Sequence, residues 1–86
     1  MRYKYTYKEG IGFDINDPIP IVKEWESDSL ADFRAIEDKW IEISLTDEIA
    51  YTINCGSGDL GRFALLALRR GDVTFWREVE VDFLED

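Results

Sequence analysis

The chain has 86 residues, of which 10 are basic, 19 are acidic, one is cysteine and none is histidine, for a formal net charge of −9. A chain of this length makes one domain with a single modest core, and its acidity disfavours nucleic acid and anionic membranes while favouring basic partners. Lacking histidine, it has no Ser-His or Cys-His dyad, no imidazole general base and almost no route to a catalytic zinc site. No catalytic residue is therefore expected, and no enzyme activity.

Apolar residues at 45% and charged residues at 34% suit a folded chain. No apolar run approaches the roughly 20 residues that cross a bilayer. The opening MRYKYTYKEG has basic residues but no apolar segment behind them, so no signal peptide is expected and a cytoplasmic location is. The lone Cys55 cannot form an intramolecular disulfide and reads as a buried thiol. A reactive thiolate there would need a cation or a helix N-terminus beside it. The acids are dispersed and lack calcium-loop spacing, so neither a metal nor a cofactor is expected.

In chain order, Tyr3, Tyr5 and Tyr7 alternate with Arg2, Lys4, Thr6 and Lys8, which predicts an amphipathic strand. Gly10 to Ser27 reads as a long connection with one irregular edge strand, broken by Asn16-Asp17-Pro18 and held extended around Pro18 and Pro20. Trp25 is expected to anchor it. Ser29 to Asp32 fits a capping box, and Leu30, Phe33, Ile36 and Trp40 at helical spacing predict a helix over about 30–39. Ile41, Ile43 and Leu45, then Ile49, Tyr51 and Ile53, alternate in step around Thr46-Asp47-Glu48 and predict a hairpin. Leu60 to Arg70, apolar around most of a helical circumference, predicts a second, buried helix with Gly71 as its C-cap. In the final run, Val73, Phe75, Val79, Val81 and Phe83 alternate with Thr74, Trp76, Glu78, Glu80 and Asp82, a strand with one apolar and one acidic face.

The order β, loop, α, β, β, α, β predicts an α+β fold, a ferredoxin-like βαββαβ sandwich with both helices on one face of an antiparallel sheet. Its first and last strands would be central neighbours. The alternative is an antiparallel meander with a helix packed across it. Either leaves little room for a ligand cleft of ~300 Å³ or more.

Two stretches carry functional expectations. Gly56-Ser57-Gly58-Asp59-Leu60-Gly61 fits the G-x-G-x-x-G pattern, lies between a predicted strand and a predicted helix, and has Glu80 downstream where dinucleotide folds keep a ribose-binding acid. It resembles the glycine loop of nucleotide-dependent methyltransferases, except that Thr52 and Asn54 stand where that family has an acid and a glycine. A small-ligand or nucleotide-binding domain using Gly56 to Gly61 is accordingly one reading. A glycine-rich turn capped by Ser57 or Asp59 is the plainer one.

The second stretch is the C-terminal strip. Glu78, Glu80 and Asp82 project from one strand face at intervals of about 6.6 Å. Glu85 and Asp86 extend the charge, and Trp76 shares the face. This is either a solvated sheet face or a partner-binding surface made of Trp76, Glu78, Glu80, Asp82, Glu85 and Asp86, an aromatic anchor amid charges that imitate a nucleic-acid backbone. The leading expectation is a non-enzymatic binding protein that inhibits a basic, nucleic-acid-binding partner such as a nuclease. Immunity proteins, antitoxins, and phage-encoded anti-CRISPR and other DNA-mimic inhibitors have that profile. A structural subunit of a larger assembly is the third reading.

Overall fold

The computed structural model describes residues 2–12, 19–58 and 61–84. The elements run β1 (Arg2–Ile11), β2 (Ile21–Ser27), α1 (Ala31–Thr46), β3 (Ala50–Gly58), β4 (Gly61–Arg70) and β5 (Val73–Leu84). They form one five-stranded sheet in the order β2-β1-β5-β4-β3, every pair antiparallel. The fold is α+β with a single helix among the described residues, not the two-helix ferredoxin-like layout. The first and last strands are indeed neighbours, and β5 is the central strand.

The register gives each face its residues. Tyr3, Tyr5 and Tyr7 lie opposite Phe83, Val81 and Val79, and Val79 and Val81 lie opposite Ala64 and Arg62 on the other side. The helix lies over this face. Its Phe33 and Trp40 are buried with Tyr5, Ala64, Leu66, Val79 and Val81 in the main core. Cross-strand aromatic pairs extend it: Tyr5 stacks on Trp25 of β2 at 4.8 Å, and Tyr3 meets Phe83 edge-on at 5.5 Å. Trp25 thus anchors its segment, as expected, but Ile21–Ser27 is a strand rather than the end of a long connection, because it pairs with β1. A register shift falls opposite Tyr7 and Lys8.

The helix is longer than its predicted span and absorbs Ile41 to Leu45. Phe33, Ile36, Trp40 and Ile43 continue one helical stripe into the core, whereas Ile41 and Leu45 are exposed. Their alternation with Ile43 mimicked a strand by coincidence of spacing. The hairpin predicted over 41–53 therefore reduces to its second half, the start of β3.

The second correction concerns Leu60 to Arg70. Gly61 to Arg70 is a strand, not a helix. It lies between β3 and β5, with Ala64 and Leu66 in the core under the helix and Leu65 and Ala67 buried on the opposite face. A strand buried on both faces shows no alternation and reads like a buried helix. Gly71, expected as a helix C-cap, has φ +63° in a two-residue hairpin joining Arg70 to Val73. The left-handed backbone was foreseen, but it serves a hairpin of the type that takes glycine first.

Candidate functional site: the helix-free sheet face and the bare corner

The helix start depends on a residue that no local pattern reveals. Ser29 Oγ accepts from the Ala31 N–H at 3.0 Å, but Leu30 at the N-cap makes no side-chain cap. The hydroxyl of Tyr5 on β1 accepts instead from the Phe33 N–H at 3.4 Å and donates to the Ser29 carbonyl at 2.6 Å. Burial raises the Tyr5 phenol above its usual value of 10.0, which keeps its proton in place.

The C-terminal strip lies on the helix-free face. Glu78 and Glu80 stand beside Lys8, whose ammonium reaches Glu78 at 3.7 Å and Glu80 at 3.4 Å. Across the sheet they lie opposite Leu65 and Phe63 of β4. Burial among these neighbours, with the Glu80 carboxylate next to it, raises the Glu78 carboxyl to about 7. Glu80 is held below its usual value by the hydrogen bond from Glu78, against some desolvation and with help from Lys8. The two carboxyls thus share one proton near neutrality, and Lys8 offsets most of the remaining charge.

Trp76 does not stand exposed among acids. It is 9% accessible and packs with Leu65, Ala67 and Ile19, and its indole Nε1 is buried without a hydrogen-bond partner among the described residues. The expectation of a solvated tryptophan is thereby corrected. The chain returning towards β2 brings Ile19 over it. Asp82 is exposed, while Glu85 and Asp86 lie outside the described residues. The strip is brought together on one face, but its centre is half-buried and nearly neutral.

The glycine-rich segment is rearranged as well. Gly56, Ser57 and Gly58 belong to β3 and Gly61 opens β4, so no helix N-terminus follows them, and Asp59 and Leu60 lie outside the described residues. The same rearrangement removes the helix expected beside Cys55, which sits on β3. Gly61 is needed for a different reason: a Cβ there would run into the Val81 carbonyl oxygen.

Elsewhere the surface has two features the sequence did not flag. The first is an apolar ridge at the end of α1, where Ile41 and Leu45 (81% accessible) are exposed one helical turn apart; Ile49, exposed beyond the helix, accepts from the Arg69 N–H of β4. Asp38, Glu42 and Glu48 beside them are exposed and make no ion pair among the described residues. The sheet's acids, by contrast, are largely paired: Glu26 with Arg2 at 3.1 Å, Glu24 with Lys4 at 3.8 Å, Glu9 with Arg77 at 3.9 Å. The second feature is a groove of about 700 Å³, lined by Ile11, Pro20, Val22, Leu68, Phe75 and Arg70 among others. The groove is larger than the little room expected of a helix-covered sheet, because the helix covers only part of its face.

Among the described residues, no three potential metal ligands come together, and no helix is long and apolar enough to cross a membrane. Compared with protein-family models, curated proteins and solved structures, the chain matches none.

Proposed function

We propose that the chain is a non-enzymatic binding protein for a basic protein partner, in the manner of an antitoxin, an immunity protein or another inhibitor of a nucleic-acid-binding protein such as a nuclease. The observation that carries this reading is the ridge of Ile41 and Leu45 at the end of α1, with the acids Asp38, Glu42 and Glu48 beside it, which make no ion pair among the described residues. Exposed aliphatic side chains with charged residues beside them suit a protein interface. Charge this poorly compensated, on a chain of net −9, would steer a cationic partner and raise its association rate.

The strip of Trp76, Glu78, Glu80 and Asp82, with Glu85 and Asp86 beyond it, is the second candidate contact. Lys8 stands against its central pair, Glu78 and Glu80, and its tryptophan is covered, so it supports the reading less than the ridge does.

The test is capture of partners on the immobilised chain at low salt and at about 1 M salt, where the screening length falls to about 3 Å. Proteins retained only at low salt are expected to be basic, and the double variant Leu45→Ala, Glu42→Lys is expected to lose them. Retention that ignores salt, or that survives the double variant, refutes this reading of the ridge. Glu80→Lys with Asp82→Lys probes the strip in the same assay.

A further inference from the structure

We infer that the bare corner of the helix-covered face binds a small amphipathic carboxylate, a ligand with an aliphatic body and one anionic head. The reasoning begins with the path of α1. It leaves the sheet next to Ser27, which lies opposite Tyr3, and it returns at Ala50, which lies opposite Leu68. The helix therefore crosses the sheet diagonally, from the β2 edge at one end to the β3 edge at the other. The corner left over holds the last residues of β1, the first of β2 and the start of β5.

There Ile11, Phe75 and Leu68 lie side by side across three strands. With Pro20 and Val22 they line the groove of about 700 Å³, within the range of roughly 300–1,000 Å³ typical of small-molecule sites. Ile11 and Val22 are 60% and 58% accessible, apolar surface that the described residues leave uncovered.

Charge selects the head group. Arg70 and Arg77 line the groove together with one acid, Glu9, on a chain whose net charge is −9. Arg77 shares Glu9 with the Tyr7 hydroxyl, but Arg70 is exposed and has no carboxylate within ion-pair distance among the described residues. Arg70 is thus the cation available to a ligand, and its planar fork suits a carboxylate. A bare anion would be disfavoured by the overall charge, so the aliphatic body must supply much of the affinity.

The central floor strand β5 is paired with β1 on one side and β4 on the other, so an added strand finds no unpaired ladder along it.

This inference does not depend on the proposed protein partner, and its test is separate. The purified chain is titrated with sodium decanoate, and with decanol and acetate as the body and the head alone, while nuclear magnetic resonance follows the side chains of Ile11, Val22, Leu68 and Phe75. Decanoate is expected to shift these four selectively, decanol to bind more weakly and acetate not at all. Arg70→Gln should weaken decanoate binding by about fivefold, the order expected of one exposed ion pair. Val22→Glu, which places a carboxylate at the groove wall, should abolish it. Equal affinity for decanol and decanoate, shifts centred elsewhere, or indifference to Arg70→Gln would each overturn the assignment. Because Arg70 is exposed and at the end of its strand, that variant should keep the fold. Circular dichroism checks it, and for Val22→Glu as well.

Discussion

Replacing Tyr5 with phenylalanine isolates one hydroxyl that ties the sheet to the helix. The ring is fully buried and stacked on Trp25 at 4.8 Å, and Tyr5→Phe leaves that packing in place. What it removes is the bond donated to the Ser29 carbonyl at 2.6 Å and the one accepted from the Phe33 N–H at 3.4 Å. The second is a helix-capping bond supplied from a distant strand. Losing an N-cap contact costs about 1 kcal/mol, and leaving a buried donor unsatisfied costs about 1–3 kcal/mol. The longer of the two bonds is weak, so the lower part of that range applies, about 1–2 kcal/mol. For a domain of this size each kcal/mol lowers the melting temperature by about 4–8 °C. Guanidinium unfolding followed by tryptophan fluorescence measures the free energy, and hydrogen exchange reads the Phe33 amide directly. The expected result is a loss of about 1–2 kcal/mol together with faster exchange at Phe33. A loss under about 0.5 kcal/mol with unchanged protection would refute the capping role. Tyr5→Leu, which also deletes the ring contacts, should cost about 3–5 kcal/mol in the same assay.

Stability should also depend on pH through Glu78, whose folded-state pKa of about 7 lies above the ordinary 4.5. The folded chain then binds more protons than the unfolded one between those values. This contribution is present in full below about 4.5 and is lost as pH rises through about 7. Glu80, held low, acts in the opposite sense below its ordinary value. Unfolding free energy is expected to decline from pH 5 to pH 8, and Glu78→Gln to flatten that decline; an unaltered profile in the variant would remove Glu78 as its source. Gly61→Ala drives a methyl group into the Val81 carbonyl oxygen and should cost about 1–3 kcal/mol by chemical denaturation. Gly71→Ala meets no atom within 4 Å but keeps a φ of +63°, so its cost should be the backbone strain alone, about 1–2 kcal/mol. A cost under about 0.5 kcal/mol for Gly61→Ala would contradict the close approach at Gly61.

The sites were legible only in part. The carboxylates of β5 share a face because side chains on a strand alternate, and that much follows from spacing. Their ionisation does not, since it depends on Lys8, which is remote in sequence and adjacent only through β1–β5 pairing. Burial of Trp76 depends likewise on Ile19 crossing the face from another part of the chain. The groove left no trace in local pattern, because it is the area that a diagonal helix fails to cover. A count of the helices would have pointed to it: one helix is too narrow to cover one face of five strands.

What the amino-acid order determined by itself is the set of elements whose two faces differ in polarity. The tyrosine alternation of β1, the Val79-Val81-Phe83 alternation of β5 and the start of α1 were all readable. Tertiary structure decided the segments whose surroundings are alike on all sides, or whose spacing fits two periods. Gly61 to Arg70 is a strand because β3 and β5 flank it and both its faces are covered. Ile41 to Leu45 is helical because Ile43 extends the buried stripe while its neighbours face outward. Hydrophobic pattern records the difference between an inside and an outside, so it is silent where a segment has no outside.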